Sequence, residues 1–414
     1  MKRINLRRVG AAGLLLALLL CGCAPIEDEQ QGAAGDPGSV QRPGEAESGQ
    51  DEQPPEPELT EEEKLALRAQ ELLADMTLEQ KAGQLFMIRP EALAENTDSP
   101  VTAWSDELDA ALAQYPAGGV VLFGQNVVSP EQLTALTGAL ATAGQTPLFI
   151  GVDEEGGAVA RIAGNEAFDV AWYDSMAQVG ATGDPAQARE VGQTIGAYLA
   201  EYGFNLDFAP VADVNTNPDN TVIGDRAFGS DPQLAAQMVC AEIEGLHQAG
   251  IMSCIKHFPG HGDTRGDTHD GTVTVDKTWE ELLGCELVPF IAALDSTDMV
   301  MAAHITAPGV TSDGLPASLS HEMVTGRLRS ELGYGGVVVT DSLEMGAIAG
   351  QYTPAESAVL AISAGVDIVL MPLDYTEAFE GVLQAVRDGE LTEERIDQSV
   401  LRILTLKITQ GIIE

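Results

Sequence analysis

Val337-Val338-Val339-Thr340-Asp341 is a β-branched run that ends on a carboxylate. A run with no polar face reads as a strand buried on both sides, a type common in parallel sheets. Seven further short apolar runs share its form; the full set covers 84–88, 119–123, 148–153, 206–211, 252–257, 299–304, 337–341 and 367–371. Polar residues gather where these runs end: Asp153, Asp213, Lys256 with His257, His304 and Asp341. Longer segments of helical period separate them, the signature of repeated βα units. Eight such units in succession predict an α/β fold, a single (β/α)8 TIM-type barrel. A doubly wound open sheet is the alternative that strand counting leaves standing. The polar strand ends favour the barrel, where they converge on one face instead of spreading along an edge.

The intervening segments carry helix signals of their own. Ala188, Val191, Ile195 and Leu199 recur at i, i+3, i+7 and i+11, which predicts a helix over 184–202. Asp184-Pro185 and Asp231-Pro232 each put a capping acid before a proline suited to the first helical position. Thr60, Thr77 and Thr392 each precede a Glu-containing first turn. A last helix is expected over 393–410.

The chain of 414 residues holds 64 acidic and 21 basic side chains, a net charge of -43. Binding to nucleic acid needs clustered Lys and Arg, so no nucleic-acid partner is expected. Lys2, Arg3, Arg7 and Arg8 precede an apolar stretch over 11–20, too short to span a bilayer, and then Cys21-Gly22-Cys23. This resembles a bacterial lipobox. Residues 1–22 read as a lipoprotein signal peptide, with cleavage before Cys23 and acylation of its thiol. The expected location is outside the cytoplasm, lipid-anchored to the cell membrane. Residues 23–63 are acidic and rich in Pro, Gly and Glu, with no aromatic side chain; they read as a disordered linker. A tether of that length spans on the order of 30–35 Å. Residues 64–414 form the expected barrel domain. Its cysteines, Cys240, Cys254 and Cys285, are odd in number and read as small buried side chains, with one facultative pair open. No protein partner is readable.

Four stretches carry chemistry. Between Lys256 and His269 lie three of the six histidines, directly after the fifth run. They admit a metal site built on His257, His261, Asp267 and His269, a structural loop, or acid/base work with Asp267 orienting His269. The Pro/Gly-rich setting weakens the metal reading. Asp341 is either a reactive carboxylate or the cap of the turn that follows, with Glu344 a solvated neighbour. Gly151-Val152-Asp153-Glu154-Glu155-Gly156-Gly157 leads to Arg161 and matches no phosphate-binding glycine pattern. Its acids suit a cation, a sugar hydroxyl or nothing. Arg226 stands in an acidic loop as an ion-pair partner or a fork for substrate hydroxyls.

Together these blocks resemble glycoside hydrolase family 3, in its β-N-acetylhexosaminidase branch. The matching stretches are GVDEEGGAVARI at 151–162, FNLDFAPVADVNTNPDNTVIGDRAFGSDP at 204–232, KHFPGHGDTRGDTH at 256–269, MVMAAHI at 299–305, PASLS at 316–320 and GVVVTDSLEMGAI at 336–348. The resemblance covers nearly all of the chain from about residue 65. It implies a retaining exo-β-N-acetylglucosaminidase acting on cell-wall-derived or related glycans. Asp341 would be the nucleophile and His269 the acid/base, paired with Asp267. Asp153, Arg161, Arg226, Lys256 and His257 would bind the terminal sugar, with no metal or cofactor. The chain departs from the family at Thr268, where Ser is usual, and at Ala158, where Arg is usual. Phosphorolysis of the same bond is a second reading. A broader β-glucosidase is disfavoured by Ser342, since that branch usually has Trp after the nucleophile. A lipoprotein that binds glycans without cleaving them would need none of Asp341, Asp267 and His269.

Overall fold

The structure, a computed structural model, describes residues 59–94, 99–269 and 271–414. The segment expected to be a signal peptide, Cys23 and most of the expected linker lie outside the described residues. Eight parallel strands carry the fold: β1 Phe86–Ile88, β2 Gly119–Leu122, β3 Phe149–Val152, β4 Leu206–Asp207, β5 Met252–Phe258, β6 Met299–Ala302, β7 Val337–Thr340 and β8 Val369–Leu370. From β1 to β7 each pairs with the next in sequence, and β8 returns to pair with β1 through Phe86 opposite Val369. A bridge between Val339 and Ile368 joins β7 to the segment leading into β8. The sheet therefore closes on itself, and the open-sheet alternative is excluded. Phe86, Phe149, Phe208 and Phe258 are fully buried in the core.

All eight expected runs are strands, most of them shorter than the apolar run that marks them. β4 stops at Asp207, where its register against β5 shifts: the Ala209 and Pro210 carbonyls accept from the Cys254 and Lys256 N–H groups at 2.9 and 3.3 Å. Val211 pairs again only as an isolated bridge to Lys256.

The principal helices are α1 Glu61–Ala74, α2 Leu78–Gln84, α3 Pro185–Glu201, α4 Pro232–Gln248, α5 Pro354–Ala364, α6 Tyr375–Asp388 and α7 Glu393–Thr409. Thr60 and Thr77 form reciprocal capping boxes with Glu63 and Gln80. Asp184, Asp231 and Thr392 cap α3, α4 and α7 as their positions predict. Because Thr60 already caps α1, residues 61–63 belong to the folded domain, and the linker boundary moves back from 63. Helices α3 and α4 meet through glycines: a Cβ on Gly192 would lie 2.2 Å from the Glu242 carbonyl oxygen. Only glycine permits that approach.

The barrel floor is sealed by α7. Buried Lys407 donates to Gln84 Oε1 and the Gly118 carbonyl, each at 2.8 Å, and sits 4.7 Å from the Phe149 ring centroid. Burial pushes its amine down to about 7. The three cysteines are free: Cys254 is buried, whereas Cys240 and Cys285 are half-buried, a correction to the reading of all three as buried.

Candidate active site

The carboxyl ends of the strands open into a cleft of about 420 Å³, lined by Asp153, Arg161, Arg226, Lys256, His257, His269 and Asp341 among others. Asp267 stands directly behind His269. The residues singled out from strand ends and loops, spread over the stretch from Asp153 to Asp341, therefore meet at one place, as a barrel requires.

The three acids after β3 separate into three roles. Asp153 faces the cleft, accepts from Lys256 Nζ at 2.7 Å and lies 3.8 Å from Arg161. Glu154 turns the other way and is fully buried. It accepts from the backbone N–H groups of Ile162 and Ala163, at 2.9 and 2.8 Å, and from Tyr198 Oη at 2.9 Å. That clasp pins the antiparallel ribbon of Glu154–Gly156 with Val159–Ala160, which delivers Arg161 to the cleft. Glu155 is buried and grips two cations: Arg226 donates to it through Nε and Nη2, both at 2.8 Å, and Lys256 Nζ lies 2.6 Å away. Burial alone would raise its pKa, but the charges of Lys256 and Arg226 outweigh this and hold it far below the carboxylate range. In return Asp153 and Glu155 hold Lys256 charged against its own burial.

His257 is locked from behind. Its Nδ1 meets Asp213 Oδ2 at 2.6 Å, while Nε2 lies 3.3 Å from Arg226 Nη2. Burial would raise Asp213, yet the His257 charge and the bond to it bring its pKa below the usual value. Asp213 also accepts from the backbone N–H of His261, so one carboxylate positions both the ring and the loop. His261 Nδ1 meets Thr264 Oγ1 at 2.7 Å. His257 has both ring nitrogens engaged, whereas His261 Nε2 is buried without a hydrogen-bond partner. Among the described residues no group of three or more His, Cys, Asp or Glu side chains is arranged to hold an ion.

Asp341 follows β7 at the cleft floor. Its N–H donates to Ala302 O at 2.9 Å, and its Oδ1 accepts from Ser342 N–H at 2.8 Å. Burial opposes ionisation, but His257, His304 and Lys256 together keep its pKa below the usual value, so it is a carboxylate at neutral pH. His304 does not line the cleft. It is buried, and it bridges Ser318 Oγ, at 2.7 Å, and the Ser342 carbonyl, at 2.8 Å, fixing the turn that presents Asp341. Burial lowers its pKa. Glu344 is not a solvated neighbour: it lines the cleft and pairs with Arg89 at 2.6 Å.

His269 also lines the cleft; its Nδ1 meets Asp267 Oδ1 at 2.7 Å, and the same oxygen accepts from the His269 N–H at 2.9 Å. This pair is exposed, with 69% of the His269 side chain accessible. Its loop is nonetheless tethered. Gly346 N–H and Ala347 N–H, at the start of the one-turn helix after Asp341, donate to the carbonyls of His269 and Thr268 at 3.2 and 3.0 Å. Unpaired N–H groups at a helix start are natural docking points for such carbonyls.

An ionised carboxylate and an imidazole backed by a carboxylate line one cleft edged with cations and hydrogen-bonding side chains. That arrangement suits displacement at a sugar carbon with proton transfer to a leaving oxygen. The model of the glycosyl hydrolase family 3 N-terminal domain matches residues 77–406, and the chain belongs to that family. Among relatives, it is 34% identical to Beta-hexosaminidase A of Pseudoalteromonas piscicida over 80% of this chain and 61% of that protein. It is 36% identical to Beta-hexosaminidase LpqI of Mycobacterium tuberculosis over 73% of this chain and 78% of LpqI. A solved family 3 β-N-acetylglucosaminidase from Paenibacillus sp. str. FPU-7 superimposes with a TM-score of 0.74 at 39% identity, covering 81% of this chain and 63% of that one. The chain thus spans about three fifths of the length of the first and third of these.

Sequence reasoning missed Glu155, Asp213, His304 and Glu344 as parts of the site. Asp213 and His304 had been noticed as strand-end polar residues, the one signal available. Glu155 was hidden among neighbouring acids, since its partners Arg226 and Lys256 lie 71 and 101 positions away.

Proposed function

We propose that the protein is a retaining exo-β-N-acetylglucosaminidase that removes terminal GlcNAc from cell-wall-derived or related glycans. The observation that supports this reading is that Asp341 and His269, the latter backed by Asp267 at 2.7 Å, line one cleft. In the first step Asp341 attacks the anomeric carbon while protonated His269 gives its proton to the departing oxygen, forming a covalent glycosyl ester. Water then attacks that ester; His269 takes the water's proton and Asp341 leaves as a carboxylate. Asp267 orients the ring throughout. Asp153, Arg161, Arg226, Lys256 and His257 hold the sugar hydroxyls, with Glu155 and Asp213 fixing the cations and the ring. The scheme uses no metal or organic cofactor. The lipobox reading adds an exported enzyme anchored through Cys23; Cys23→Ser should release it from membranes that otherwise retain it after a salt wash.

A 5-fluoro aminosugar should label the wild type on the peptide holding Thr340-Asp341-Ser342. Asp341→Ala should lose several orders of magnitude in turnover while still binding substrate. Label on another carboxylate together with wild-type turnover in the variant would overturn the assignment. Product analysis with and without phosphate separates hydrolysis, which releases the free sugar, from phosphorolysis, which releases a sugar phosphate.

A further inference from the structure

A second concave surface lies outside the cleft. It is a groove of about 330 Å³ between the loop that follows β3 and the start of α3, lined by Trp172, Tyr173, Asp174, Gln178, Gln187 and Glu190 among others. Trp172 is 52% exposed, and it is the one aromatic side chain among the exposed large hydrophobics of the described residues. The other two tryptophans are spoken for: Trp104 Nε1 donates to Asp109 at 2.7 Å and Trp279 Nε1 to Glu331 at 2.6 Å. Trp172 makes no such bond. The side chains of Asp174, Gln178, Gln187 and Glu190 are also without a hydrogen-bond partner among the described residues.

An indole face beside unsatisfied amide and carboxylate groups is the surface a pyranose ring matches. One face of the sugar is a patch of C–H bonds that covers the ring, and its edge is a row of hydroxyls that the acids accept from and the amides bond either way. An apolar protein partner would leave the four polar groups buried without partners, at a cost for each. Charge narrows the ligand further. No Lys or Arg lines the groove, and Arg189, the cation of α3, is turned to Glu244 at 2.7 Å. Anionic glycans are therefore disfavoured, while neutral ones are not.

The groove is also well placed. The loop leaves the cleft at Arg161, and a Cβ on Gly164, three residues later, would lie 3.9 Å from the Trp172 ring. We propose that this groove is an accessory binding site for neutral, N-acetylated glycan chains, with Trp172 as its stacking platform, holding a polymer beside the cleft that trims it. This rests on the glycosidase reading for its choice of sugar.

The test compares wild type, Trp172→Ala and Trp172→Phe by affinity electrophoresis through glycol chitin and by hydrolysis of an aryl β-GlcNAc. Trp172→Ala should lose at least fivefold in glycol-chitin retardation, Trp172→Phe should recover most of it, and aryl-glycoside turnover should match wild type in both. Unchanged retardation of Trp172→Ala overturns the groove, as does Trp172-dependent retention on anionic peptidoglycan but not on chitin. Retardation that depends on Trp172 in a protein that cleaves no aryl GlcNAc supports the groove while sinking the enzymatic reading. Trp172 is exposed, so its loss should not unfold the chain; equal melting temperatures confirm that the comparison is fair.

Discussion

The cleft contains the same chemical unit twice, a histidine whose Nδ1 meets an aspartate at 2.6–2.7 Å, in two opposite environments. Asp213–His257 is sealed: the carboxylate is fully buried, the ring is 8% accessible, and the second nitrogen faces Arg226. Asp267–His269 stands in solvent, 37% and 69% accessible, and its ring lines the cleft with no hydrogen-bond partner at Nε2 among the described residues. A ring held on both sides and cut off from water positions and binds. A ring held on one side and open on the other exchanges protons with substrate and water. Burial, not residue type, distinguishes the two.

That contrast breaks or survives on paired variants. His269→Ala should slow substrates with poor leaving groups by about 10²–10⁴-fold, the ordinary worth of a positioned acid. Activated phenolates, which depart without a proton, should be far less affected, and the melting temperature should hold. His257→Ala should instead slow both leaving-group classes alike. It should also cost about 3–5 kcal/mol of stability, because Asp213 is left as a buried charge without its partner. Urea melts and a leaving-group series measure both. If His257→Ala showed leaving-group dependence and His269→Ala did not, the two roles would be exchanged.

A smaller effect comes from buried acids that form no ion pair among the described residues. Glu242, on α4, and Asp207, at the end of β4, are each pushed well above the usual carboxylate range, chiefly by burial. Each leaves one oxygen without a partner. Folded, they hold protons that the unfolded chain gives up above pH about 4. The folded state therefore binds more protons, and stability falls as pH rises from there toward the folded pKa. For each such group the slope is roughly 1.4 kcal/mol per pH unit. Glu242→Gln should flatten part of that slope and gain most at the highest pH, in melts between pH 5 and 9. A variant with the wild-type slope would show that Glu242 is ionised in the fold. Smallest of all, dialysis against a chelator should leave turnover unchanged; loss restored by one divalent ion would return the histidine loop to the metal reading.

These contrasts also mark what could be read before any fold was known. Strands were legible because a parallel barrel buries both faces, so apolar runs such as Val337-Val338-Val339 stand out against their surroundings. Convergence of Asp153, Lys256, His257 and Asp341 followed from their position at strand ends. Loop residues such as Glu155 were not legible, since what an acid does there depends on cations supplied by other βα units. Nor was the difference between His257 and His269, twelve positions apart, because burial belongs to the packed molecule and leaves no mark on the local residue string. Similarly, Glu344 looked like a solvated helix-start acid, and only Arg89, brought in from the first βα unit, makes it part of the wall.

The tie between the His269 loop and Gly346-Ala347 bears on how such a site is re-engineered. The spacing between Asp341 and His269 is set across two separate βα units, through carbonyls clipped to the first N–H groups of the next helix. Grafting the histidine loop alone onto another barrel would carry over the reagent without its ruler. A transplant would need the segment from Asp341 through Ala347 as well, moved as one cassette with the loop it measures against.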